Sequence, residues 1–107
     1  ATSSLSQARQ TANKAGMKAN VSTLTVAALL YFDANNSYSG FCDDADSFES
    51  FKSRLSADDQ KNYVCNDSAT QWAVSIPFGS STYFCIDNAV QQPIETSSAL
   101  KDQTVCQ

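Results

Sequence analysis

A chain of 107 residues, 42% apolar and 17% charged, has the size and apolar content of one folded domain, and is neither a disordered polyelectrolyte nor a membrane span. Its net charge of −4 is divided unevenly: residues 1–32 hold Arg9, Lys14 and Lys18 with no acid, whereas residues 33–107 hold 11 acids against 4 bases, giving −7. An acidic head repels phosphates and three dispersed bases make too small a footprint for a nucleic-acid binder, so no nucleic-acid partner is expected.

The opening Ala1-Thr2-Ser3-Ser4 reads as a frayed or appended start. From Leu5 to about Asn35 the chain has no proline, one glycine (Gly16) and many alanines, which predicts one long helix. About thirty residues at ~1.5 Å each span roughly 45 Å, more than the roughly 35 Å diameter of a globule of this length. The N-terminal end is therefore expected to protrude.

Helical periodicity gives this helix two apolar stripes on opposite sides. One runs Met17, Val21, Leu24, Ala28, Tyr31, with Phe32 beside it; it is bulky, lies in the C-terminal half and is expected to pack on the head. The other runs Leu5, Ala8, Ala12, Ala15, Ala19, Val26, Leu30 and is mostly alanine, which permits close approach of a partner helix along the whole length. The longest apolar run, Val26 to Phe32, is far too short to cross a bilayer.

Asn35-Asn36-Ser37, followed by Gly40, is expected to stop the helix, because asparagine and glycine tolerate the left-handed conformation. Asp46-Ser47-Phe48-Glu49 reads as an N-cap with a reciprocal acid, opening a short helix with Phe48, Phe51 and Leu55 on one face; Asp58-Asp59 ends it or caps one more turn. After Asn66 the pattern turns to strands. Gln71 to Pro77 alternates with Trp72, Val74 and Ile76 on one face, Phe78-Gly79-Ser80-Ser81 turns, and Thr82 to Ile86 forms a second strand. Asp87-Asn88 turns into a third strand, Ala89 to Gln92, which Pro93 keeps short or at an edge; the tail from Ile94 to Gln107 reads as irregular. One long helix with a small three-stranded antiparallel sheet is an α+β fold. It forms a single domain over 1–107, divided into a helix (1–35), a loop with a short helix (36–66), and the sheet with its C-terminal loop (67–107).

Cys42, Cys65, Cys85 and Cys106 recur at intervals of about twenty residues, with no C-x-x-C and no histidine to complete a zinc set. Two disulfides are expected, which places the protein in an oxidising compartment outside the cytoplasm. Three pairings satisfy four cysteines, and the sequence does not choose among them.

Chemistry at a catalytic site finds little support. The absence of histidine removes the commonest general base, no serine sits in Gly-x-Ser-x-Gly, and Ser50 and Ser53 beside Lys52 and Arg54 lie on a helix surface. The expectation is a non-enzyme without a cofactor. Asp43, Asp44 and Asp46 are weak candidates for calcium ligands, but their spacing lacks the glycine and distal glutamate of an EF-hand, so no metal is expected. Asn20-Val21-Ser22, Asn35-Asn36-Ser37 and Asn66-Asp67-Ser68 match the glycosylation sequon, a frequent chance pattern. Trp72, Phe78, Tyr83 and Phe84 form either a ligand platform or, as alternation favours, a core.

Two stretches carry a family resemblance. Leu5-Ser6-Gln7-Ala8-Arg9-Gln10 with Ala12, Lys14 and Ala15, then Leu24 to Tyr31 and Asn35-Asn36-Ser37-Tyr38, resembles the region of type IV pilins that follows their hydrophobic N-terminal segment. Tyr83-Phe84-Cys85-Ile86-Asp87-Asn88 is similar to the strand and turn of small bacterial pilins whose cysteine pairs with one near the C-terminus. The resemblance implies a long helix laid on an antiparallel sheet and a subunit of an extracellular surface filament. It implies polymerisation with further copies through the N-terminal helix, with Leu5, Ala8, Ala12, Ala15 and Ala19 at the interface. It also implies an apolar segment ahead of Ala1 that anchors the subunit in the inner membrane before assembly, so the chain reads as a truncated soluble domain. The disulfides expected with it are Cys42 with Cys65, tying the loop to the short helix, and Cys85 with Cys106, pinning the tail to the central strand. Each closes a loop of over twenty residues, worth roughly 3 kcal/mol in the chain-entropy model. The competing expectations are a type II secretion pseudopilin and a monomeric secreted binding module; the module requires the helix to break near Gly16.

Overall fold

The computed structural model describes residues 2–44, 46, 48–55, 57–78, 82–90 and 92–106, with side-chain surroundings from residue 14 onward. Helix α1 (Thr2–Asn35) leads into a 3-10 turn (Phe41–Asp43), then α2 (Phe48–Lys52) and α3 (Ala57–Asn62). Strands β1 (Val64–Asp67), β2 (Trp72–Phe78), β3 (Thr82–Asp87) and β4 (Ile94–Thr96) follow in an antiparallel sheet of order β1-β2-β3-β4.

Helix α1 runs through Gly16 without a break, and at 34 residues it accounts for the 53 Å long axis of a molecule only 25 × 24 Å across. It stops where its asparagines permit. Asn36 takes φ 57° while its N–H still donates to the Phe32 carbonyl, and the Asn35 side-chain amide donates to the Tyr31 carbonyl at 3.0 Å. These bonds satisfy carbonyls that the helix end would otherwise orphan.

The bulky stripe of α1 meets the head as its periodicity predicts: Val21, Leu24 and Ala28 are fully buried, with Met17 and Tyr31 packed at the margins. They pack against one face of the sheet, where Trp72, Val74 and Ile76 of β2 lie beside Phe84 and Ile86 of β3 in the register Val74↔Ile86 and Ile76↔Phe84. Phe48, Phe51 and Leu55, carried by α2 and the residues after it, close this core from the side. Phe41 sits at its centre, with edge contacts to Tyr31, Phe48 and Trp72 at ring distances of 5.8, 5.7 and 5.4 Å.

The sheet has four strands, one more than the sequence pattern indicates, and the third lies elsewhere. Residues Ala89 and Val90 do not extend a strand, because the Asp87 carboxylate accepts both of their N–H groups (2.8 and 2.9 Å) and curls them into a turn. The chain pairs again only after buried Pro93, where β4 aligns Ile94 with Cys85 and Thr96 with Tyr83. The start of the tail is thus a strand and not irregular chain. The unanticipated strand β1 contains Asn66 and Asp67, residues of poor strand propensity, and all four of its residues are half-buried. Its pairing with β2 also blurs the expected boundary between loop and sheet at residue 66, since Val64 already faces Ser75. Asp58 and Asp59, expected to end a helix or cap one more turn, open the separate helix α3. The expected turn at Gly79-Ser80-Ser81 lies outside the described residues, between the paired Phe78 and Thr82; so does Ser47 of the expected cap.

Two disulfides join Cys42 to Cys65 and Cys85 to Cys106. The first ties the 3-10 turn to β1, and Asp67 reinforces it by accepting the N–H groups of Gly40 (3.1 Å) and Cys42 (2.9 Å). Gly40 holds φ +90°, and a Cβ built on it would lie 2.7 Å from the Tyr31 hydroxyl, which is held in place by donating to the Ser39 carbonyl. Gly40→Ala is therefore expected to cost about 2 kcal/mol in urea unfolding. A loss below about 0.5 kcal/mol would mean that this loop yields freely.

Candidate assembly surface and the polar clasp

The face of α1 turned away from the head is where the Ala-rich stripe emerges. Ala15 and Ala19 are exposed, and farther along Val26, Leu29 and Leu30 are 60, 57 and 62% exposed. The side chains of Leu5, Ala8 and Ala12, expected in the same interface, lie outside the described residues. Gly16 has no atom within 4 Å of where a Cβ would stand, so it leaves an open dimple on the helix and not a contact with the head. Lys14 forms an ion pair with Glu95 of β4, the N-terminal-most link between α1 and the sheet among the described side chains.

Between α1 and α2 the surface is concave. Two shallow cavities lie end to end, of about 540 and 600 Å³, sharing Thr23 and Arg54. The first is lined by Gly16, Met17, Ala19 and Asn20 toward the N-terminal side; the second has Val26 and Leu30 on one bank, Phe51 at its base and Asp46 on the opposite bank. Leu29, which the Ala-rich stripe does not include, widens the apolar strip, lying one turn from Val26 and next to Leu30.

The other face of the sheet is covered by the C-terminal segment. Ala73, Cys85, Leu100 and Cys106 form a second small core there, flanked by Val64 and Ile94. What holds this strap is mostly side chains reaching its backbone. The Ser75 hydroxyl accepts the Leu100 N–H at 3.1 Å, and the Asn66 amide donates to the carbonyls of Lys101 and Gln103 at 2.9 and 2.8 Å. Thr104 donates to the Gln71 side-chain carbonyl at 2.7 Å. Buried Asp87 completes the clasp: the oxygen not used in its turn accepts the Cys106 N–H at 2.8 Å. Asp87 and Asn88 are recognisable in sequence as a turn, but nothing local marks Asp87, Ser75 or Asn66 as anchors for residues 19 to 37 positions away.

The remaining candidate residues are dispersed. Asp43 is exposed in the 3-10 turn, the Asp44 carbonyl accepts the Phe48 N–H at the start of α2, and Asp46 lies on the groove bank. Among the described residues, no three metal-ligating side chains come together. Of the four aromatics, Trp72 and Phe84 are buried in the core, while Phe78 and Tyr83 are half-buried. Asn66, within one of the sequons, has its amide engaged by the strap. Among the described residues, no helix is long and apolar enough to cross a membrane. No protein-family model, curated protein or solved structure matches the chain.

Proposed function

We propose that this chain is the head domain of a type IV pilin or pilin-like subunit, which polymerises with further copies through its N-terminal helix into an extracellular filament. The observation that carries the reading is α1. A helix that only had to complete one domain would fold back or break at Gly16; this one runs unbroken from Thr2 to Asn35 and presents Ala15, Ala19, Val26 and Leu30 to solvent on the side opposite its buried stripe. Small residues along such a face let a second helix approach to about 8 Å, where backbone contacts replace bulky packing. The disulfide-stapled sheet supports the same role, since a surface subunit works in an oxidising medium where both cystines persist.

The test uses the chain with an apolar segment placed ahead of Ala1, as the resemblance implies, expressed in cells competent for pilus assembly. Negative-stain imaging of sheared material is expected to show filaments a few nanometres wide, while the variant carrying Ala15→Arg and Ala19→Arg shows none. Both alanines are exposed, so the same substitutions in the isolated domain should move its unfolding free energy by no more than about 0.5 kcal/mol. Dispersed, membrane-tethered monomers in place of filaments from the unsubstituted protein would refute the reading.

A further inference from the structure

We infer that the groove between α2 and the C-terminal half of α1 receives the N-terminal part of α1, residues 5–19, of a second copy, in a directional head-to-tail contact; the inference rests on the filament reading above. The receiving surface is apolar at its centre, with Val26 and Leu30 exposed along one bank and Phe51 at the base of a cavity of about 600 Å³. An occupant of this cleft has to be slender. Residues 5–19 present Ala8, Ala12, Ala15 and Ala19 on one stripe with Gly16 beside it, the kind of helix surface that enters a narrow groove without displacing its walls.

Charge favours this occupant and sets its direction. Residues 33–49 hold Asp33, Asp43, Asp44, Asp46 and Glu49 with no base, whereas residues 5–19 hold Arg9, Lys14 and Lys18 with no acid. Lys14 is engaged by Glu95 of its own copy, which leaves Arg9 and Lys18. At about 100° per residue these two positions fall on opposite flanks of the alanine stripe, each roughly a quarter-turn from its centre. The groove offers one exposed acid on each side at the matching end, Asp33 on α1 and Asp46 at the bank toward α2. Seating the stripe between the banks brings one base toward each. Arg54 lies farther along, where the two cavities meet, so the groove is acidic at one end and basic at the other.

Donor and receiver are different parts of the surface, so the contact is heterologous and repeats from copy to copy without closing into a two-fold dimer. The centres of the two segments, near residues 12 and 28, are 16 positions apart on one helix. Parallel helices joined this way are staggered by about 24 Å.

The experiment follows amide shifts of the 107-residue protein by NMR as its concentration is raised, alongside two charge-reversed variants. One carries Arg9→Glu and Lys18→Glu; the other carries Asp33→Lys and Asp46→Lys. The expected result has four parts: concentration-dependent shifts at Val26, Leu30, Phe51 and the 5–19 segment; self-association weakened about tenfold or more in each variant alone; spectra otherwise unchanged; and association regained when the two variants are mixed, because each donor then faces a groove of opposite sign. Self-association that survives both reversals, or a symmetric dimer centred on Leu29, overturns the groove assignment and leaves the filament reading to be judged by imaging. A wild-type spectrum that does not change with concentration also overturns it, and filaments seen by imaging would then run through another face.

Discussion

Replacing Cys85 and Cys106 together by alanine is expected to lower the unfolding free energy by more than the roughly 3 kcal/mol that closing such a loop contributes in the chain-entropy model. The sequence separation is 21 residues, close to the 23 of the Cys42–Cys65 bridge, so loop entropy alone predicts nearly equal losses for the two. Their surroundings differ. Cys85 and Cys106 are buried and form half of the small core under the strap, with Ala73 and Leu100, whereas Cys42 and Cys65 are half-buried at the margin of the sheet. Removing the strap bridge therefore also loosens an apolar seal, and the excess over the Cys42→Ala, Cys65→Ala pair is expected to be about 1 kcal/mol. Urea unfolding of both double variants measures the difference. Hydrogen exchange at the Leu100 amide, bonded to the Ser75 hydroxyl, reports whether the strap has lifted. Equal losses, with the Leu100 amide still protected, would show that the polar clasp holds the strap without the bridge. On the filament reading, the single Cys85→Ala variant should also reduce sheared filaments.

Asp87→Ala is expected to destabilise the domain by about 3 kcal/mol or more, a large share of the ~5–15 kcal/mol that a small domain has. One carboxylate here serves three backbone donors, Ala89 and Val90 through one oxygen and Cys106 through the other. Each orphaned buried donor costs about 1–3 kcal/mol, and Asp87 is itself buried, so little water can replace it. Asp87→Asn separates the two jobs. Its single carbonyl oxygen can keep the turn at Ala89 and Val90, but its amide then opposes the Cys106 N–H, donor against donor. The asparagine variant should retain the β3 turn and lose protection chiefly in the strap. Urea unfolding combined with residue-level exchange tests this: a loss under about 1 kcal/mol for Asp87→Ala, or equal exchange changes at Val90 and Cys106 in Asp87→Asn, would contradict the division of roles.

Much of the α1 side of the molecule was legible in sequence because its information is periodic. Val21, Leu24 and Ala28 announce a buried face at helical spacing, Ala15, Ala19, Val26 and Leu30 announce a second face, and the paired asparagines at 35 and 36 mark the stop. Alternation likewise exposes β2 and β3 through Trp72, Val74, Ile76, Phe84 and Ile86. The groove was only half legible: the α1 bank follows from the Ala-rich stripe, but Leu29 and the position of Asp46 opposite Leu30 depend on where the loop lays α2 against the helix.

By itself, then, the sequence determined the elements whose side-chain period repeats over several turns or residues, the division of charge between helix and head, and the need for two disulfides. Tertiary structure alone decided that Asn66 and Asp67 join a strand, that Ala89 and Val90 leave one, and that Ser75 and Asp87, which read as outward-facing polar residues, are buried beneath a strap. The physical reason is that each of these outcomes turns on a bond to chain many residues away: Asp67 to Gly40 and Cys42, Asn66 to Lys101 and Gln103, Ser75 to Leu100, Asp87 to Cys106. A local pattern sets which face a side chain shares with its neighbours; only the folded chain sets what comes to cover that face.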